Sequence, residues 1–280
     1  MSPRVSVIIP SRDGFRDGHV PRLLASLESQ TFRDFDVHLI KGVFPQGRAI
    51  NEGAGKSDCE YLVVCDDDAR LADETVLQRL VDALDGDATI GMAGASIVVP
   101  PEASAFQHRA ARQFPRFNMP PVTEILDSDF ACHGCCAFPK HVFDRVGRER
   151  EDIIRGLDPD LRVRIRDAGY RVVLVPGAMA YHPLPSDWRS VLRLFFRNGF
   201  GSAYAQKFHR DTVFDTDESV AAASFQPRHR LAYRVARYPL RLLRAAVTGQ
   251  VIRLVGYSSY ACGYCWGALT AKEDAIAAGH

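Results

Sequence analysis

Hydrophobic and polar positions in the first half of the chain switch repeatedly between two periods. Val5 to Ile9 is a β-branched run ended by Pro10 and the polar turn Ser11-Arg12-Asp13-Gly14, which predicts a short buried strand. Val20, Leu23, Leu24 and Leu27 then recur at helical spacing. Phe35 to Ile40 and Tyr61 to Cys65 predict two more strands, with a helix-compatible segment from Arg48 to Lys56 between them. A further amphipathic helix (Val76, Leu77, Leu80, Val81, Leu84) leads into the apolar run Ile90 to Val99. This alternation predicts an α/β fold with a mostly parallel central sheet flanked by helices.

The pattern weakens from 100 to 130 around Pro100, Pro101, Pro115, Pro120 and Pro121, a stretch expected to be loop-rich and mobile. Order returns at Cys135 to Phe138, followed by a helix from about Asp158 to Ala168. Strands are expected at Tyr170 to Val175 and Ala178 to Tyr181. A helix then carries Trp188, Val191, Leu192, Phe195 and Phe196 on its apolar side.

Composition narrows the class. With 280 residues, 46% hydrophobic and 25% charged, the chain is neither disordered, collagen-like nor a small disulfide scaffold, and it can bury a sizeable core. Seven scattered cysteines suit reduced thiols, and the N-terminus has no apolar signal region, so a cytoplasmic location is expected. Cys132, Cys135 and Cys136 with His133 lack a second ligand pair at finger-like spacing, so buried thiols are expected there rather than zinc.

The net charge of +1 hides an asymmetry: no Asp or Glu falls between Glu218 and Glu273, while Arg228, Arg230, Arg234, Arg237, Arg241, Arg244, Arg253 and Lys272 do. The spacing of Arg230, Arg234, Arg237, Arg241 and Arg244 puts all five on one helical face despite Pro239, a pattern that fits an anionic membrane surface. No nucleic-acid motif accompanies the charge, and nucleic acid is not an expected partner. The following segment, Leu254 to Ala271, is uncharged and rich in Tyr and Trp. At eighteen residues it is expected to lie in the membrane surface rather than cross it. The alternative is a solvated helix closing the preceding domain. The expected division is residues 1–210 as a catalytic domain and 211–280 as a helical, basic extension at the membrane periphery.

The candidate chemistry sits at strand ends, where ligands gather in parallel sheets. Asp66-Asp67-Asp68 follows the strand Tyr61 to Cys65, and three adjacent carboxylates there are costly without a cation. Asp66 and Asp68 could share a hard divalent ion, Mg²⁺ or Mn²⁺. The plain alternative is a solvated acidic turn capping a helix that begins near Ala72. Asp158 suits a helix N-cap with Pro159 in the first turn, or it faces the cleft as a general base supported by Asp160 and Arg164. His182 ends a strand before Pro183 and could complete the Asp66/Asp68 site.

Val5-Ser6-Val7-Ile8-Ile9-Pro10-Ser11, Ser29-Gln30-Thr31-Phe32, the Asp66-Asp67-Asp68 triplet, Asp158-Pro159-Asp160-Leu161 with Arg164, Ala168-Gly169-Tyr170 and His182 occur in this order. Together, over residues 4 to 205, they resemble inverting family-2 glycosyltransferases with the A-type nucleotide-sugar fold. The resemblance implies that Asp66, Asp68 and His182 hold the metal and that Asp158 deprotonates the acceptor hydroxyl. It implies that Pro10, Ser11, Arg12, Arg48, Asn51, Asp66 and Asp67 bind the nucleotide-sugar donor. Lys41-Gly42 stands where the family commonly has a base-contacting acid, which leaves the nucleotide open. The implied acceptor is a lipid-linked or envelope glycan. Two other classes stay open: a nucleotidyltransferase, and a degenerate, non-catalytic relative bound to the membrane.

Overall fold

The computed structural model describes residues 2–119, 121–213, 225 and 229–273. In chain order it contains β1 (Val5–Ser11), α1 (His19–Glu28), β2 (Phe35–Lys41), α2 (Gln46–Gly55), β3 (Tyr61–Val64), β4 (Arg70–Leu71), α3 (Val76–Gly86), β5 (Ile90–Val98), α4 (Ala105–Gln113) and β6 (Leu126–Asp127). These are followed by β7 (Cys136–Pro139), α5 (Lys140–Arg145), α6 (Leu157–Asp167), β8 (Arg171–Tyr181), α7 (Trp188–Phe208), α8 (Leu231–Val247) and α9 (Val251–Thr270).

The strands form one sheet in the order β2-β1-β3-β7-β5-β8-β4, with β6 pairing β8. β1 pairs in parallel with β2 and β3, and β5 with β8; β7 joins the two halves and runs antiparallel to both β3 and β5. The carboxyl ends of β1, β3, β5 and β8 therefore share one rim. β1 is buried along its whole length, because a strand covered by helices on both faces needs apolar side chains on both. Its period of two sorts them: Val5, Val7 and Ile9 enter a core under α1 and α3, whereas Ile8 enters the opposite one with Ile50 of α2 and Leu161 of α6.

Three sequence expectations change here. The 100–130 stretch is not merely loop: α4 lies within it, held by a capping box between Ser104 and Gln107. Pro120 lies outside the described residues. The two strands expected between Tyr170 and Tyr181 are one, β8, whose register with β5 shifts between Gly94 and Ser96. The helix after the acidic triplet begins at Val76 rather than near Ala72, with β4 in between.

The C-terminal helices are part of a third core, in which Val99, Ala110, Phe114, Leu184, Val191 and Phe195 pack with Ile252 of α9. α9 lies tightly on α7. A Cβ on Gly263 would strike the backbone of Phe196, and one on Gly199 would strike that of Tyr260. The glycines of 254–271 thus face α7, and the segment closes on the preceding domain along that side. Among the described residues no helix is long and apolar enough to cross one. Arg228 of the basic stretch is outside the described residues, and the arginines from 230 to 244 lie on or next to α8.

Candidate active site

The acidic triplet leaves β3 into a turn at the shared rim, and its three carboxylates take different environments. Asp67 is 5% exposed and points inward, accepting a hydrogen bond from Ser11 Oγ at 2.7 Å and facing Arg16 at 3.1 Å. Asp68 pairs with Arg16 at 2.8 Å and faces His182 Nε2 at 3.0 Å. Asp66 accepts from Gln46 Nε2 at 2.8 Å and lies 3.9 Å from His182 Nε2. A solvated acidic turn is excluded by this burial and pairing.

One ligand atom from each of Asp66, Asp68 and His182 falls within 4.8 Å of the others. Two carboxylate oxygens and an imidazole nitrogen are a donor set suited to Mg²⁺ or Mn²⁺, and they leave further positions for donor phosphates and water. The electrostatics agree. Burial, then the Asp68 charge, pushes the Asp66 carboxyl up to about 6. Burial would raise Asp68 too, but His182 and Arg16 hold it well below the usual carboxylate range. His182 would be lowered by burial, yet Asp68 and Asp66 lift it to about 9. The carboxylates thus hold a proton on His182, which a cation bound to the same three groups would displace.

Asp158 stands in the first turn of α6, and Gly156, in the left-handed region at φ 93°, is the N-cap. The N-cap reading of Asp158 is therefore wrong. Its carboxylate accepts a hydrogen bond from the backbone N–H of His133 at 2.7 Å and lies 3.2 Å from that ring, with a third of the side chain open to solvent. Burial would raise its pKa, but His133 and Arg162 keep it low and the carboxylate ionised. His133 is itself buried, 2.9 Å from Glu149 Oε1. Burial alone would lower the imidazole, while Asp158 and Glu149 push it up to about 10. The His133 carbonyl accepts the Asp66 backbone N–H at 2.8 Å, so one residue ties the acidic turn to Asp158.

Asp160 points the other way, is 5% exposed, and pairs with Arg164 at 2.7 Å. Arg164 also donates to the carbonyls of Val146 and Arg148, so this pair braces the loop before α6.

The donor-binding candidates separate. Pro10 and Ser11 end β1 at the rim, and Arg12 is exposed just beyond it. Arg48 and Asn51 lie on α2 and bond elsewhere: Arg48 to Glu151 at 3.2 Å, and Asn51 to Glu151 and, in both directions, to the Glu149 backbone. Sequence reasoning gave no role to Arg16, Gln46, His133 or Glu149. Their partners are remote in the chain, and only the Cys-rich context of His133 drew notice.

Comparisons with known proteins bear on the fold that carries these residues. A model of glycosyl transferase family 2 matches residues 16–147, which include the acidic triplet. The mannosyltransferase PcManGT from Pyrobaculum calidifontis, solved in complex with GDP-Man and Mn²⁺, is similar over 97% of this chain and 89% of its own, at TM-score 0.63 and 16% identity. The fold is that of a GT-A glycosyltransferase. GalNAc-T7, solved with UDP, GalNAc and Mn²⁺, shares this GT-A fold over 74% of this chain and 51% of its own, at TM-score 0.50 and 14% identity. A search of curated proteins yields no match. In the GT-A frame described here, the rim that carries Asp66, Asp68 and His182 also carries Asp158.

Proposed function

We propose that the protein transfers a sugar from a nucleotide-diphosphate donor to a hydroxyl of a lipid-linked or envelope glycan acceptor, with inversion. The observation that carries the reading is the meeting of Asp66, Asp68 and His182 at one rim, joined through His133 to an ionised Asp158. The GDP-Man of one GT-A neighbour and the UDP and GalNAc of another support a nucleotide sugar here as well.

Asp66, Asp68 and His182 would hold Mg²⁺ or Mn²⁺. When bound, such an ion supplies Lewis-acid stabilisation of the departing diphosphate. Ser11 and Arg16 fix Asp67 and hence the turn, so the ligand geometry is set before the donor arrives. Arg12 and Pro10 border the space expected for the nucleoside. Asp158 accepts the acceptor's hydroxyl proton, and its partly open carboxylate is kept ionised by His133 and Arg162. The attacking oxygen then approaches the anomeric carbon from the face opposite the leaving group, which is why inversion follows.

The site is read as working at the cytoplasmic face of a membrane. α8 supports this: Val235, Leu240, Leu243 and Val247 are exposed on one side of the helix, and Arg230, Arg237 and Arg244 run along the adjacent strip. That is the make-up of a helix lying at a headgroup layer. The seven cysteines are unpaired, which suits a reducing compartment.

The test is a panel of nucleotide sugars with Mn²⁺ or Mg²⁺, scored for nucleoside diphosphate release and for the anomeric configuration of the product. Pyrophosphate release instead would mark a nucleotidyltransferase. No release with any donor would leave the non-catalytic reading.

A further inference from the structure

The apolar stripe on α7 is wider than the core that receives it. Val191 and Phe195 are buried, with Phe195 against Phe114 at 4.8 Å between ring centroids. Trp188, Leu192 and Phe196 are 45%, 46% and 39% exposed. They stand at i, i+4 and i+8 and make a ridge about 12 Å long beside the α9 contact, where the Leu192 carbonyl accepts from Ser259 Oγ and the Phe196 backbone meets Gly263. Trp188 is held in place while exposed, because the Phe106 ring meets it edge-on at 5.2 Å.

A second ridge runs beside the first. Arg189, Arg193 and Arg197, each one residue on from an exposed apolar side chain, are all exposed. None of the three has an ion-pair partner among the described residues, and α7 contains no Asp or Glu. Like charges at i, i+4 repel, so this row costs helix stability unless an outside anion compensates it. At the inner end, Arg197 is partly desolvated by burial and lies in the field of Arg16 and Asp68, so the arginine row ends beside the acidic site and leaves Arg189 and Arg193 as its free part.

We infer that the exposed edge of α7 docks on an anionic lipid bilayer, with Trp188, Leu192 and Phe196 entering the headgroup–acyl boundary and Arg189 and Arg193 meeting lipid phosphates. Three features select a bilayer over a protein. The free apolar area of the ridge is on the order of 300 Å², taking roughly 150–250 Å² for a whole aromatic side chain. A stable protein interface needs about 800 Å² per partner, whereas insertion into a lipid surface has no such threshold. The unpaired cations are all of one sign, which complements a negative headgroup layer and leaves no acid for a mixed protein partner. A Trp at the end of an Arg-flanked ridge is also the composition of interfacial helices. The consequence is orientation: a chain seated on α7 turns the Asp66/Asp68/His182 rim towards the headgroups. This contact is separate from that read for α8 and does not depend on glycosyl transfer.

The full chain has two tryptophans, so Trp266→Phe leaves Trp188 as a single reporter. It is titrated with vesicles of phosphatidylcholine containing phosphatidylglycerol and with vesicles of phosphatidylcholine alone. The expected result is a blue shift of Trp188 emission and quenching by brominated acyl chains, only with the anionic vesicles. Arg189→Glu with Arg193→Glu should raise the lipid needed for half the shift at least tenfold, following about 1 kcal/mol per arginine near the surface. Arg189→Gln with Arg193→Gln, which adds no new charge, should give a smaller rise in the same direction. Co-sedimentation with vesicles but no change at Trp188 would overturn the inference, since α8 would then be the contact. So would an equal shift with neutral vesicles. A blue shift without lipid that grows with protein concentration would also overturn it, because a second copy would then cover the ridge.

Discussion

The Asp158 carboxylate accepts the backbone N–H of His133 at 2.7 Å, and the His133 carbonyl on the same residue accepts the N–H of Asp66 at 2.8 Å. The candidate base and the candidate metal turn are thus two peptide contacts apart, although 92 residues separate them in the chain. The His133 ring is itself buried between Asp158 and Glu149. A base held by backbone and ring together needs no rearrangement when an acceptor arrives.

From this geometry Asp158→Asn is expected to keep metal and donor binding and to lose transfer at least about a hundredfold, the lower scale of general-base catalysis. Asp160→Asn should act on stability instead, by roughly 1–3 kcal/mol for breaking a buried charge-assisted contact. Turnover at saturating donor, and urea unfolding of both variants, separate the two. An active Asp158→Asn beside an inactive Asp160→Asn would move the base by two residues.

The metal reading predicts that Asp68→Ala abolishes Mn²⁺-dependent nucleotide binding and that Asp66→Ala weakens it less. Asp68 is the carboxylate closest to His182, and it is held ionised in the absence of metal. Calorimetric titration of Mn²⁺ with a nucleoside diphosphate checks this, with far-UV circular dichroism to confirm folding. Unchanged binding in both variants would remove the site.

The pH dependence of that binding has a definite sign. His182 must be neutral to act as a ligand, and its pKa is raised to about 9 in the metal-free protein. Mn²⁺ affinity is therefore expected to rise with pH, by about tenfold per unit between roughly 6 and 9, and to flatten above. Below about 6 the slope should steepen, because Asp66 then also takes up a proton. For the metal-free protein the linkage runs the opposite way. A raised histidine pKa adds stability at low pH, and this is lost as pH climbs through about 9. Proton release near neutral pH, read from titrations in buffers of different ionisation heat, should be close to one per ion. Zero release would contradict the ligand assignment.

What could be read from sequence was local. Val5 to Ile9 and Asp66 to Asp68 announce a buried strand and a costly anionic turn within a few residues, and both stand in the fold as expected. α4 also carries a local signal, Ser104 with Gln107, but the prolines around it mask the helical pattern. Asp158 could not be resolved from its own segment, because the choice between cap and base depends on the left-handed backbone of Gly156 and on a partner 25 residues away. The Glu149–His133 contact is invisible to any spacing rule, since it forms only when the loop before α6 closes over the turn before β7. The α7 stripe was legible as apolar, but which half of it meets the core is decided by α4 and α9.

Arg230 and Arg237 are exposed on the strip beside Val235, Leu240, Leu243 and Val247, so an anionic surface can meet charge and apolar side chains together. Electrostatic attraction of exposed arginines is screened over a Debye length of about 8 Å at physiological salt, whereas insertion of apolar side chains is not. Wild-type binding to phosphatidylglycerol vesicles should therefore fall with added salt and level off at a plateau set by the apolar strip. Arg230→Glu with Arg237→Glu should bind roughly tenfold or more weaker at low salt, given about 1 kcal/mol per arginine. It should respond less steeply to further salt than wild type, keeping the part carried by the arginines of α7. Leu240→Ser with Leu243→Ser should lower the plateau and keep the salt response. Co-sedimentation across a salt series measures both, and equal curves for wild type and both variants would show that α8 is not the surface that meets the membrane.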